Sequence, residues 1–161
     1  MKELILIRHG KSSWDFDVND VERPLKPRGY KDIRRIASEF KKSGFIPDKI
    51  YSSPAKRALD TANLFAEIAL DGLIRVDIKQ YLYDFSGESV LSFVKSLPEC
   101  DKKIIIFGHN HAFTAISNTF GTKAIDNVPT SGLVHLRFHI QSWAELTKGE
   151  TVRAIFPREL K

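Results

Sequence analysis

Two arginines, two histidines and one carboxylate of this sequence fall just past strand-like segments, where side chains are free to do chemistry. Arg8 and His9 end the apolar run Glu3-Leu4-Ile5-Leu6-Ile7 and are followed by Gly10. Arginine grips an anion with a planar fork of donors. Histidine can act as nucleophile, base or metal ligand, and glycine lets the backbone turn tightly beside a bound group. Ser52, Ser53 and Arg57 follow a short second run, Lys49 to Ser52. Asp84 comes soon after the alternating segment Arg75 to Lys79, and Gly108-His109-Asn110 follows the nearly all-apolar run Lys103 to Phe107. Arg8 and Arg57 together can hold a tetrahedral oxyanion, and a helix beginning at Pro54 adds backbone donors and positive dipole. One histidine would attack phosphorus while the other steadies charge on the equatorial oxygens. Phosphoryl transfer is catalysed largely by such positioning and electrostatics.

Each residue also has a plainer reading. Arg8 would serve as a structural ion-pair partner, His9 and His109 as satisfied core histidines, and Arg57 as a surface helix residue. What weighs against these is convergence. In open α/β sheets ligands bind beyond the carboxyl ends of the strands, and four separate segments send capable groups to that edge. His111 is open to either reading, whereas His135 and His139 read as structural, on the polar face of an amphipathic strand. His109 and His111, with Asp15 or Asp84, are the nearest approach to a metal set. The HExxH and paired CxxC patterns are absent, and two neighbouring arginines would repel a cation. No metal and no cofactor are expected.

The elements that position these groups are legible as hydrophobic periodicity. Tyr30, Ile33, Ile36, Ala37 and Phe40 mark a helix from Pro27, closed near Gly44. Ala55, Ala58, Leu59, Ala62, Phe65, Ala66 and Ala69 mark a second, from about Pro54 to Leu70. Val90, Leu91, Val94 and Leu97 mark a third, and Ala112 to Phe120 a fourth. Lys103 to Phe107 is expected to be buried on both faces. Leu133 to Ile140 alternates, with His135, Arg137 and His139 on the polar side, and Thr151 to Phe156 alternates again, which suggests a half-exposed or antiparallel edge. Strands alternating with helices predict an α/β fold, a three-layer α/β/α sandwich around a mostly parallel sheet. The longest irregular stretch, Lys11 to Lys26, carries Trp14 and Phe16, and a loop of this length in a compact domain is usually functional.

Size and composition set the outer bounds. The 161 residues suit one domain, 1–161, with a sizeable core, and 42% hydrophobic with 28% charged residues describe an ordinary soluble protein. The single cysteine, Cys100, favours a reducing, cytoplasmic setting. The chain opens almost directly on a strand, so no cleaved signal peptide is expected, and no apolar stretch approaches the roughly 20 residues of a membrane span. The net charge of +5 admits an anionic partner. Its densest groups, Lys26 to Arg35 and Lys41-Lys42, lie in a helix pattern where a solvated face is expected, and no interleaved aromatics point to nucleic acid.

Arg8-His9-Gly10, the stretch Ser52-Ser53-Pro54-Ala55-Lys56-Arg57-Ala58-Leu59-Asp60-Thr61-Ala62, and Gly108-His109-Asn110 together resemble the histidine phosphatase superfamily, the phosphoglycerate-mutase-like fold. The short length, Lys11-Ser12-Ser13-Trp14 and Glu22-Arg23-Pro24-Leu25 resemble its SixA-type branch, whose named activity is phosphohistidine phosphatase. The resemblance implies that His9 is the nucleophile, forming a phosphohistidine intermediate, and that Arg8, Arg57 and His109 bind the phosphoryl oxygens. Larger members use a glutamate after the third strand as proton donor. Asp84, in Tyr81-Leu82-Tyr83-Asp84, is its nearest counterpart here. Asp15 stands where mutase-like members carry an asparagine near the phosphate. The expected activity is a metal-independent phosphatase dephosphorylating phosphohistidine on a protein, with a small phosphomonoester as the alternative substrate and a non-catalytic phosphate-binding module as the alternative class.

Overall fold

The computed structural model describes residues 1–160. β1 (Lys2–Arg8) shows how the sheet is built: Leu4 and Leu6 face one side, Ile5 and Ile7 the other, and all four are buried. Side chains alternate across a strand, so a continuous apolar run needs cover on both faces. The face carrying Ile5, Ile7, Ile105 and Phe107 is covered by α1 (Pro27–Lys41) and α2 (Lys56–Leu70), through Ile33, Ile36, Phe40, Ala62 and Phe65. The opposite face, with Leu4, Leu6, Ile104 and Ile106, is covered by α3 (Glu88–Lys95) and α4 (Ala112–Phe120), through Val90, Val94, Phe113 and Ile116. Three layers result.

The other strands are β2 (Lys49–Ser52), β3 (Val76–Ile78), β4 (Lys103–Gly108), β5 (Leu133–Phe138) and β6 (Glu150–Ile155). Their order is β3-β2-β4-β1-β5-β6. β1 to β4 are mutually parallel, whereas β5 pairs antiparallel with both β1 and β6. The carboxyl ends of β1, β2 and β4 therefore meet at one edge, in the middle of the sheet.

Three expectations need correction. α2 begins at Lys56 instead of Pro54, because Ala55 is still extended and its N–H is taken by Ser53 Oγ at 3.1 Å. β3 is only three residues long, an outer strand with a single partner. His135 is not on a solvated face. β5 lies inside the sheet, and His135 is buried against Phe45, with Nε2 2.8 Å from Glu3 Oε1.

The Lys11 to Lys26 loop folds back on itself. Ser12 bridges Leu25, Ser13 N donates to Pro24 O, and Lys26 N donates to Lys11 O. Its inner post is Arg23, which donates to Ser13 O at 3.1 Å, Ser12 Oγ at 2.5 Å and Asp20 Oδ1 at 3.1 Å. Trp14 joins no core. It is 75% exposed and stacks over the Arg23 guanidinium at 3.3 Å. The loop meets α1 where no side chain fits: a Cβ on Gly29 would come within 2.5 Å of Lys11 O. A single turn, Asp20–Glu22, is thereby held above the ends of β1 and β2.

Candidate active site

His9 is the first residue beyond β1, and its backbone is tied from two sides. Its N–H donates to Gly108 O at 3.1 Å, and its carbonyl accepts from Ser131 N at 3.0 Å. The ring lies 2.7 Å from its neighbour's carbonyl, Nδ1 to Gly10 O. A carbonyl only accepts, so Nδ1 carries the proton and Nε2 presents its lone pair. Nε2 faces Arg57 Nε at 3.4 Å. Burial, opposed by the Gly10 bond and reinforced by His109, Arg57 and Arg8, lowers the His9 pKa to about 3. At neutral pH the ring is uncharged and nucleophilic.

His109, just past β4, lies with its ring centroid 5.3 Å from that of His9. Its Nε2 meets Ser53 Oγ at 2.8 Å, so Ser53 fixes the ring. Its Nδ1 is buried without a protein partner. Burial, then Arg57 and Arg8, with Asp20 opposing, lowers its pKa to about 3 as well. Arg57, on the first turn of α2, is 2% exposed. Arg8 donates through Nη1 to Val128 O at 2.9 Å and leaves a buried Nε without a partner. Unpartnered buried polar atoms are costly in a folded protein unless something binds there. Two such atoms, Arg8 Nε and His109 Nδ1, belong to residues that flank His9.

The cavity here is about 350 Å³ and is lined by Arg8, His9, Arg57, Asp20 and Arg23 with Trp14 and Phe85 among its walls. Larger depressions lie elsewhere on the surface, but none gathers these groups. Asp20 is the one carboxylate in the lining. Its Oδ2 accepts from Tyr83 OH at 2.5 Å and from Arg57 Nη2 at 2.9 Å, and its backbone carbonyl accepts from Arg57 Nη1 at 2.6 Å. Burial alone would raise its pKa. The bonds from Tyr83, Arg57 and Arg23 outweigh that and hold it below the usual carboxylate range. Asp20 is thus an ionised brace for Arg57.

The structure brings Arg8, His9, Arg57 and His109 together. It does not bring Asp84. That carboxylate accepts from Ser86 N, Ser86 Oγ, Gly87 N and Val90 N at 3.0 to 3.1 Å, tying down the first turn of α3, and it does not line the cavity. Asp15 also stays outside the lining, on the exposed part of the loop. No group of three or more His, Cys, Asp or Glu among the described residues is arranged to hold a metal ion.

A family model described as histidine phosphatase superfamily (branch 1) matches residues 4–85, from β1 to just past Asp84. The chain belongs to the histidine phosphatase superfamily. An uncharacterized chloroplastic protein of Arabidopsis thaliana is 33% identical over 155 residues, covering 89% of this chain and 70% of that protein. The 2,3-bisphosphoglycerate-dependent phosphoglycerate mutase of Thermobifida fusca is 35% identical over 83 residues. That match covers 50% of this chain and 33% of the mutase, so the chain shares about a third of the mutase's length. Among solved structures, the protein histidine phosphatase SixA complexed with tungstate superposes with a TM-score of 0.81 at 18% identity, over 99% of each chain. A protein of Agrobacterium tumefaciens assigned as the phosphohistidine phosphatase SixA gives 0.80 at 24%, over 96% of this chain and 97% of that one. At these identities the likeness is one of fold. Membership of the superfamily places the chain among phosphatase and mutase enzymes.

Asp20, Tyr83 and Thr61 went unread in the sequence of this superfamily member. Thr61 accepts from Gly10 N at 3.0 Å and donates to Arg57 O at 2.6 Å, locking the His9-Gly10 turn to α2. Its signal was available, a hydroxyl four residues after Arg57 and so one helical turn along. Asp20 had only its spacing to Arg23 as a signal, and nothing in that spacing says that the loop folds over the site.

Proposed function

We propose that this chain is a metal-independent phosphatase that works through a phosphoryl group on His9 and takes its substrate from phosphohistidine on a protein. The observation that carries the reading is a neutral His9 Nε2 set among Arg8, Arg57 and His109, with the one carboxyl group of the cavity lining, Asp20, ionised. In the first step Nε2 bonds to phosphorus while the substrate's phosphorus–nitrogen bond breaks. Arg8, Arg57 and His109 Nδ1–H take the charge on the equatorial oxygens. The departing imidazole leaves neutral once its distal nitrogen has accepted a proton from water. With a conjugate-acid pKa near ~6.5, it needs far less help than an alkoxide.

The Gly10 carbonyl supports the second step. It keeps Nδ1 of phospho-His9 protonated. When water attacks phosphorus, His9 therefore departs as a neutral imidazole, and orthophosphate is released. Both steps then proceed without a proton-donating side chain, solvent supplying the proton in the first, whereas a positioned general acid elsewhere is worth ~10²–10⁴-fold. The tungstate held by the SixA structure is a tetrahedral oxyanion, in keeping with a phosphoryl site on this fold. A reducing compartment such as the cytoplasm suits the free, exposed Cys100.

The test is turnover of a phosphohistidine-bearing protein and of a panel of alkyl and aryl phosphomonoesters by protein stripped with EDTA. The reading expects phosphohistidine to be preferred, full activity in EDTA, and none in His9→Ala. Preference for a small alkyl phosphate would give the site to a phosphomonoester instead. Loss of activity in EDTA would overturn metal independence.

A further inference from the structure

The outer face of α1 carries cations that the active site does not use. Arg28, Lys31, Arg34, Arg35 and Lys42 are exposed, opposite the buried Ile33, Ile36, Ala37 and Phe40. Arg28 is held by Asp32 at 3.3 Å and Lys42 by Glu39 at 3.0 Å. Among the described residues, Lys31, Arg34, Arg35 and the adjoining Arg158 have no carboxylate partner. Neither have Lys11 and Lys26, which line the catalytic cavity. The surface is also shaped. One depression of about 210 Å³ is walled by Lys31, Arg35 and Arg158 with Asp32, and another of about 450 Å³ by Arg34, Arg35 and Lys42 with Glu39 and Glu159. Arg35 is common to both. Asp32 is taken up by Arg28, Glu39 by Lys42, and Glu159 accepts from Phe156 N. Lys26 immediately precedes α1, so from the mouth of the catalytic cavity to Arg35 the cations cover nine residues, ~14 Å at ~1.5 Å per residue.

We propose that this strip, Lys26–Lys31–Arg34–Arg35–Arg158, docks an acidic segment of the phosphorylated protein substrate while its phosphoryl group enters the His9 cavity. The proposal rests on the phosphoprotein reading above. Unpaired cations gain from a polyanionic partner at modest desolvation cost, and a strip with an excess of positive charge leading to a site steers encounter by 10- to 10³-fold. Nucleic acid is the other polyanion of this charge. It is disfavoured because the part of the strip on α1, beyond the cavity walls, carries no exposed aromatic ring for base stacking, and because the strip leads into a phosphohydrolase cavity.

The probes are two synthetic peptides carrying phosphohistidine. One places a short glutamate tract beginning about four residues away, since four extended residues span ~14 Å; the other has glutamine there. The proteins are wild type, Arg34→Glu with Arg35→Glu, and the milder pair Arg34→Gln with Arg35→Gln. In low salt the wild type should turn over the glutamate peptide with about ten-fold higher kcat/KM. Both variants should lose that advantage, as should wild type in about 1 M salt, where screening shortens to ~3 Å. Hydrolysis of free phosphohistidine should be unchanged in both. Equal turnover of the two peptides by wild type, or an advantage kept by the variants, overturns the docking strip.

Fluorescence anisotropy of the unphosphorylated peptides separates the two readings. Wild type that binds the glutamate peptide better than the glutamine one, yet cleaves neither phosphopeptide, supports the strip and overturns the phosphohistidine reading. Equal binding of the two peptides overturns the strip alone. Tighter binding of a short DNA duplex than of the glutamate peptide would assign the strip to nucleic acid and overturn it as well.

Discussion

Replacing Asp84 with alanine separates a structural carboxylate from a catalytic one. In this structure the Asp84 carboxylate takes three backbone N–H groups and one hydroxyl at the start of α3, a helix of only eight residues. Losing a carboxylate that satisfies a helix N-terminus costs ~0.5–2 kcal/mol, and three backbone donors put this one at the upper end, about 2 kcal/mol. For a domain of this size each kcal/mol moves Tm by ~2–4 °C, so Tm should fall by about 4–8 °C at pH 7. Burial would raise the carboxyl's pKa. The bonds from Val90, Ser86 and Gly87 overcome this and lower it. A group with a depressed folded pKa stabilises above its unfolded value, ~3.9, and loses that contribution as pH falls through the folded one. The Tm gap between wild type and variant, followed by circular dichroism, should therefore narrow as pH drops below about 4. Catalysis should be spared. Across aryl phosphates of rising leaving-group pKa, the kcat of Asp84→Ala should stay within about three-fold of wild type, against the ~10²–10⁴ of a lost general acid. A loss of rate that steepens with leaving-group pKa, with Tm intact, would refute the reasoning and restore Asp84 as the proton donor.

Arg57→Lys should cut kcat/KM by about 10²-fold or more, because an ammonium cannot face His9, Asp20 Oδ2 and the Asp20 carbonyl at once; steady-state kinetics on one phosphomonoester reads it. ¹⁵N NMR of the imidazole rings at pH 5 should find His9 and His109 neutral, since both have pKa values near 3. The same shifts make each ring stabilise the fold fully above its unfolded pKa of ~6.5 and cost about 1.4 kcal/mol per pH unit as pH falls from there towards 3. Denaturant unfolding from pH 7 to 4 should show a slope that His109→Gln reduces. Gly29→Ala should destabilise by ~1–3 kcal/mol, because its Cβ meets the Lys11 carbonyl at 2.5 Å; a Tm within a degree of wild type would contradict that close approach.

The parts of this fold legible in sequence were those decided by local burial. β1 and β4 read as apolar runs because both faces are covered, and α4 reads from its stripe of Phe113, Ile116 and Phe120. The convergence of Arg8, Arg57 and His109 on His9 followed from the rule that parallel strands end at one edge. His135 misled because alternation reports polarity, whereas burial at that position depends on β6 flanking β5 and on Phe45 reaching over it. Asp84 lay at a plausible distance from β3, but spacing cannot tell a carboxylate aimed at a cavity from one folded back onto α3. Asp20 was silent for the same reason in reverse. Its place against Arg57 and Tyr83 depends on Arg23 and on the Gly29 contact closing the loop, and both are tertiary facts.

The central claim is that the phosphoryl group passes through His9 Nε2. Rapid mixing with phosphohistidine peptide, an alkaline quench within one turnover and mass spectrometry of the digested protein test it directly. The account predicts an acid-labile, alkali-stable phosphate on His9, formed and lost at rates consistent with turnover and absent from His9→Ala. A phosphate on any other residue, or a full single turnover with His9 never modified, would contradict it.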